Sequence, residues 1–123
     1  MVSPLKEFGN TVLELETLQI SDPAAILVIV ERCNRNASNV MMDAGRPYYE
    51  IVIGYLCRSS EALENLLGKD LSFNDDQRKR LESLRDLMMK RASKKEAHVA
   101  KDARVQFAIN GLEDNGSKED FFE

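Results

Sequence analysis

From Asn74 to about Asn110 the chain contains neither Pro nor Gly, and no other stretch is as long without them. Few folds accommodate such a run except as one continuous helix. Its apolar residues Leu81, Leu84, Leu87, Met88, Ala92, Val99, Ala103 and Phe107 recur at helical spacing and fall mostly on one stripe. At 1.5 Å per residue the helix would be roughly 55 Å long, more than a small three-helix body needs to cover it. The distal half is therefore expected to project or to pair with another copy. Val99 and Phe107 are the expected packing or oligomer anchors there.

Opposite the apolar stripe lies a basic one. It comprises Lys79, Lys90, Lys94, Lys101 and Arg104, flanked by Arg80 and Arg91. Lys79, Lys90 and Lys101 stand eleven residues apart, about three helical turns, so they stay in line. Arg78 to Arg104 holds ten basic and four acidic residues, whereas the whole chain holds 17 and 21 for a net charge of −4. The remainder is thus strongly acidic. Such a split can mark a binding face, or be neutralised by the rest of the fold or by a second copy.

The segments before this helix read as three shorter ones. Ser3-Pro4 is a helix start, a capping hydroxyl followed by Pro at the first helical position. Leu5, Phe8, Val12, Leu15 and Leu18 then share a face, predicting helix one from Ser3 to about Leu18. Gly9 and Asn10 weaken it locally.

Asp22-Pro23 repeats the start signal ahead of Ala25, Ile26, Ile29, Val30, Cys33 and Ala37. Residues 24–30 are apolar all round, which predicts the most buried helix; a buried strand is the competing reading. The polar run Asn34 to Asn39 is expected to end or bend it. Pro47 opens helix three, with Tyr48, Val52, Tyr55, Leu56, Ser59, Leu63 and Leu66 on one face and Gly68 as its C′ residue. Residues 48–56 also admit a strand, and Gly54 and Ser59-Ser60 are possible bends. Asn74 with Gln77 resembles a capping box for the long helix.

The reading is therefore all-α: a bundle of about four helices over residues 1–110, with a flexible acidic tail at 111–123. The tail ends in Phe121-Phe122, which could anchor a docking peptide or fold back on the basic stripe.

Chemistry is sparse. His98, the single histidine, falls on the polar flank of the long helix with no Cys near it in sequence. A metal or a catalytic group would have to be completed by folding. Cys33 and Cys57 sit inside apolar patterns and read as inert core thiols. The six glycines form no phosphate loop, and the tail around Asp114-Asn115-Gly116 fails as a calcium loop because Gly111 and Phe122 occupy ligand positions.

No signal peptide or membrane-length apolar run is evident, so an intracellular, cytoplasmic location away from membranes is expected. No cofactor or metal is called for. The expected function is a non-enzymatic protein–protein interaction module (adaptor, inhibitor or assembly factor) that self-associates. The alternative is a nucleic-acid-binding accessory protein using the basic face. Phosphate contact suits regular lysines, while interleaved Asp86, Glu96 and Asp102 and the lack of aromatics on the stripe count against base stacking.

Overall fold

The computed structural model describes residues 3–43 and 45–113, with side chains described for residues 3–42 and 45–101. Among these residues four α-helices follow one another: α1 (Pro4–Glu16), α2 (Pro23–Asp43), α3 (Tyr49–Gly68) and α4 (Asp75–Glu113). A 3-10 turn, Arg46–Tyr48, leads into α3. The fold is an all-α bundle, and the two segments that also admitted strands are helical.

The helix starts follow the local chemistry. Ser3 Oγ accepts from Lys6 N at 3.2 Å, with Pro4 in the first turn. Asp22 accepts from Ala25 N at 3.3 Å. At Asn74 the capping box closes reciprocally: Gln77 N donates to Asn74 Oδ1 at 2.8 Å and Asn74 N to Gln77 Oε1 at 2.9 Å. Two donors that a helix N-terminus would leave open are thereby satisfied.

The ends diverge from expectation. α1 stops at Glu16 rather than Leu18, where Thr17 donates through both its N–H and its hydroxyl to Leu13 O. α2 runs straight through Asn34–Asn39 to Asp43. The polar residues there are used by neighbours: Asn34 accepts from Arg91, and the Asn36 amide donates to Thr11 Oγ1 and Glu7 O. Ala37 and Val40, meanwhile, are fully buried. Packing thus overrides a poor local propensity. Gly68 is the last helical residue rather than a left-handed C′ cap. The positive φ falls instead on Ser72, at 35°. Gly111 does not stop α4, which continues to Glu113. Residues 114–123, with Phe121 and Phe122, lie outside the described part.

Core positions alternate in steps of four and three: Phe8, Val12, Leu15 on α1; Ile26, Val30, Cys33, Ala37, Val40 on α2; Val52, Leu56, Ser59, Leu63, Leu66 on α3. This mean period of 3.5 keeps a narrow seam of each helix facing its partners. α3 and α4 make the most extensive pairing and α1 with α2 the next; α1 also packs on α3, and α2 more lightly on α4. Each large apolar side chain removed from water contributes about 1.5–3 kcal/mol.

The possible bends are absorbed. Ser59 donates to Tyr55 O at 2.7 Å and lies 3.7 Å from Cys33 Sγ, while Ser60 donates across to Arg85 O on α4 at 3.2 Å. Gly9 is a close-approach site. A Cβ there would stand 2.8 Å from Cζ and Oη of Tyr55, whose ring meets Phe8 edge-on at 5.7 Å.

Candidate binding face

The core face of α4 is carried by Leu81, Leu84, Met88 and Ala92, all buried. The opposite side therefore faces water, and there the structure places Lys79, Lys90, Lys94 and Lys101, each exposed. None of the four makes an ion pair with another described residue. Asp86 lies close to this stripe and is held by Arg85 at 3.1 Å. The side chain of Arg104 lies outside the described residues.

The arginines behave differently, and two assigned to the stripe are not free members of it. Arg80 forms a forked pair with Glu31 of α2, at 2.6 and 2.8 Å. Its hydrogen bonds hold the Glu31 carboxyl below the ordinary value and raise the guanidinium. Arg91 donates to Asn34 Oδ1 at 2.9 Å and approaches Met88 Sδ at 3.7 Å; burial pushes its pKa down. At 100° per residue both positions lie about a quarter turn or more from the Lys79–Lys101 line, on the side that meets α2.

The same use of guanidinium recurs across the bundle. Arg85 reaches Glu64 on α3 at 2.5 Å, Arg58 pairs with Glu16 across α3 and α1, Arg32 with Glu14 at 3.1 Å, and Arg78 donates to Leu67 O at 3.2 Å. A planar fork on a long stem suits inter-helix ties, whereas an ammonium stays hydrated. The basic composition of α4 thus divides into arginines that tie the bundle together and lysines that face solvent.

Lys95 is the exception. Its side chain is 4 % exposed. It follows Met88 and Ala92 on the core face, and its Nζ sits 4.0 Å over the ring centroid of Tyr49 at the start of α3. No hydrogen bond or ion pair accompanies that contact. In the sequence Lys95 is a charged residue interrupting the apolar stripe between Ala92 and Val99. Its angular position, three beyond Ala92 and four before Val99, was the available signal that it turns inward.

Tyr49 also faces His98, with ring centroids 6.2 Å apart and planes tilted by 37°. Arg46, Tyr49, His98 and Lys101 line a shallow pocket of about 220 Å³. Val99 is half-buried, and the Phe107 side chain lies outside the described residues.

The other sequence candidates separate. Cys33 is fully buried, and burial pushes its thiol up to about 11; Cys57 is only half-buried and so is not a core residue. Among the described residues no group of three or more His, Cys, Asp or Glu side chains could hold a metal ion. No helix among them is long and apolar enough to cross a membrane. Compared with protein-family models, with curated proteins and with solved structures, the chain matches none.

Proposed function

We propose that the chain is a non-catalytic helical interaction module that self-associates, laying the lysine face of α4 against the acidic surface of a second copy. The observation that carries this reading is the division of basic residues on α4. Its described arginines are held in ties within the bundle, while Lys79, Lys90, Lys94 and Lys101 stand exposed and without ion pairs among the described residues. Regions outside Arg78–Arg104 carry the opposite charge, so two copies are complementary in a way one copy is not. α4 also continues to Glu113, while its antiparallel partner α3 begins at Tyr49, level with Lys95. About 18 Å of helix follows Lys101.

Light scattering across protein concentration and salt tests this. A dimer or larger species at low ionic strength should dissociate as salt rises, since exposed charge pairs are screened within about 10 Å at 0.1 M. Lys90→Glu with Lys94→Glu and Lys101→Glu should yield a folded monomer. A wild-type chain that stays monomeric at high concentration and low salt refutes self-association.

A second reading, binding to nucleic-acid phosphates, is favoured by one geometric point. Lys79, Lys90 and Lys101 lie in a line over roughly 33 Å of helix, and regularly spaced ammonium groups can neutralise a backbone without reading its sequence. It requires duplex affinity that falls with salt at a slope of about −0.9 per neutralised phosphate. Absence of binding to DNA or RNA at low ionic strength removes it.

A further inference from the structure

The lysine line of α4 needs a receiving surface, and α3 carries one that the bundle itself does not use. Glu14, Glu16 and Glu31 on α1 and α2 are each held by an arginine. Glu50 and Glu61 of α3, by contrast, are exposed and make no ion pair with another described residue. They lie on the side of α3 opposite its buried residues Val52, Leu56, Ser59 and Leu63. Eleven residues separate them, about three turns or roughly 16 Å, so they stay in line. Lys79, Lys90 and Lys101 on α4 repeat at the same interval. Arg58, the single basic residue of α3, is turned aside to Glu16 by two hydrogen bonds.

We infer that the outward face of α3, along Glu50, Gly54 and Glu61, receives the lysine line of α4 from a second copy of the chain. This rests on the proposed self-association and names the acidic surface that takes part in it. Gly54 falls on the same line, four residues after Glu50 and seven before Glu61. A Cβ there would meet nothing within 4 Å. Glycine weakens a helix interior relative to alanine, and no close approach to another described residue calls for one at this point. Between the two carboxylates it leaves a flat strip of backbone on which a second helix can seat closely. Two intervals of the lysine line match Glu50 and Glu61: Lys79 with Lys90, or Lys90 with Lys101. Lys90 belongs to both. Asp75 and Asp86 are also eleven apart, but Asp86 is already bonded to Arg85. The contact joins two different faces, and each copy carries both.

Two measurements at low ionic strength test this. In the first, isotope-labelled and unlabelled chains are mixed and treated with a zero-length carbodiimide cross-linker. Peptide mass spectrometry then reads the amide bonds formed between one copy and another. Lys90 should be joined to Glu50 or Glu61 across copies. In the second, light scattering follows two charge-reversed sets. Glu50→Lys with Glu61→Lys, and separately Lys79→Glu with Lys90→Glu and Lys101→Glu, should each weaken self-association by about tenfold or more, because like charges then meet. An equimolar mixture of the two sets should associate again, since each supplies the charge that the other has reversed. Gly54→Gln, at an exposed position, should weaken association without loss of helix content.

A wild-type chain that stays monomeric removes self-association and this surface with it. If the lysine set dissociates while Glu50→Lys with Glu61→Lys associates as the wild type does, self-association stands and the α3 surface is wrong. The α3 surface is equally wrong if the mixture of folded sets stays monomeric, or if Lys90 is joined across copies to Asp75, Glu82 or Asp86 instead. If a charge-reversed set fails to fold, cross-linking of the unaltered chain still decides.

Discussion

Replacing Gly9 with Ala sets two effects of opposite sign against each other within one helix. Gly in a helix interior costs about 1 kcal/mol relative to Ala, so propensity alone makes Gly9→Ala stabilising by that amount. The structure opposes it. The new Cβ would lie 2.8 Å from Cζ and Oη of Tyr55 and 3.0 Å from Cε2, and such separations do not persist. The ring must therefore move, and it is held on both sides. Phe8 meets it edge-on at 5.7 Å with planes at 83°, and the Arg58 guanidinium lies 5.7 Å from its centroid while bonded to Glu16.

Displacing the ring forfeits an aromatic pair worth about 0.5–1.5 kcal/mol and a cation–π contact worth about 0.5–1 kcal/mol. Overpacking costs about 1–3 kcal/mol in general. A loss of about 2 kcal/mol exceeds a gain of about 1 kcal/mol, so Gly9→Ala should destabilise by about 1 kcal/mol and lower Tm by roughly 4 °C. Urea unfolding followed by far-ultraviolet circular dichroism measures it. The decisive arm is a double-mutant cycle: in a Tyr55→Ala background the obstruction is gone, and Gly9→Ala should become stabilising by about 1 kcal/mol. If Gly9→Ala stabilises the otherwise unchanged chain, the Tyr55 ring is not fixed and the close-approach reasoning is wrong.

Three other outcomes follow from the same structure. Asn74→Ala removes half of the reciprocal cap on α4 and should cost about 1 kcal/mol in urea unfolding; an unchanged midpoint would mean water caps the helix equally well. The Glu31 and Glu16 carboxyls are held below their ordinary value of 4.5 chiefly by hydrogen bonds from Arg80 and Arg58. The stability they add is present above that value and is lost as pH falls through their lower folded-state values, so Glu31→Gln should flatten the acid limb of a stability–pH curve below about 4.5. With its thiol pushed up to about 11 and its side chain fully buried, Cys33 should resist alkylation at neutral pH while half-buried Cys57 reacts, as peptide mass spectrometry would reveal. Equal labelling in the folded chain would contradict the packing around Cys33.

Much of this fold is legible from local chemistry. Ser3-Pro4, Asp22-Pro23 and the Asn74/Gln77 pair begin helices because each satisfies orphan backbone donors within its own turn, a matter of near neighbours. The apolar spacing of three and four similarly assigns Phe8, Val12, Leu15, Val52, Leu56, Leu63, Leu66, Leu81, Leu84 and Met88 to inward faces, and all are buried. Lys79, Lys90, Lys94 and Lys101 are placed on the solvent side by the same arithmetic. Helix period fixes direction relative to the helix axis, and that is a property of sequence.

What period cannot supply is the neighbour. Asn34–Asn39 favours a break in isolation, and only Arg91, Thr11 and the α1 backbone, brought alongside, make its polar groups useful inside a helix. Arg80 and Arg91 resemble the lysines in charge, yet α2 stands within reach of their forks and makes them part of the bundle. Lys95 is a cation on the inward face of α4, and only folding brings it Tyr49, 46 residues earlier in the chain, whose ring its ammonium lies over. Sequence determined which side of each helix is apolar and where helices begin, because those depend on contacts within one turn. The tertiary structure decided which charges are tied within the bundle and which face solvent, because an ion pair exists only once distant segments meet.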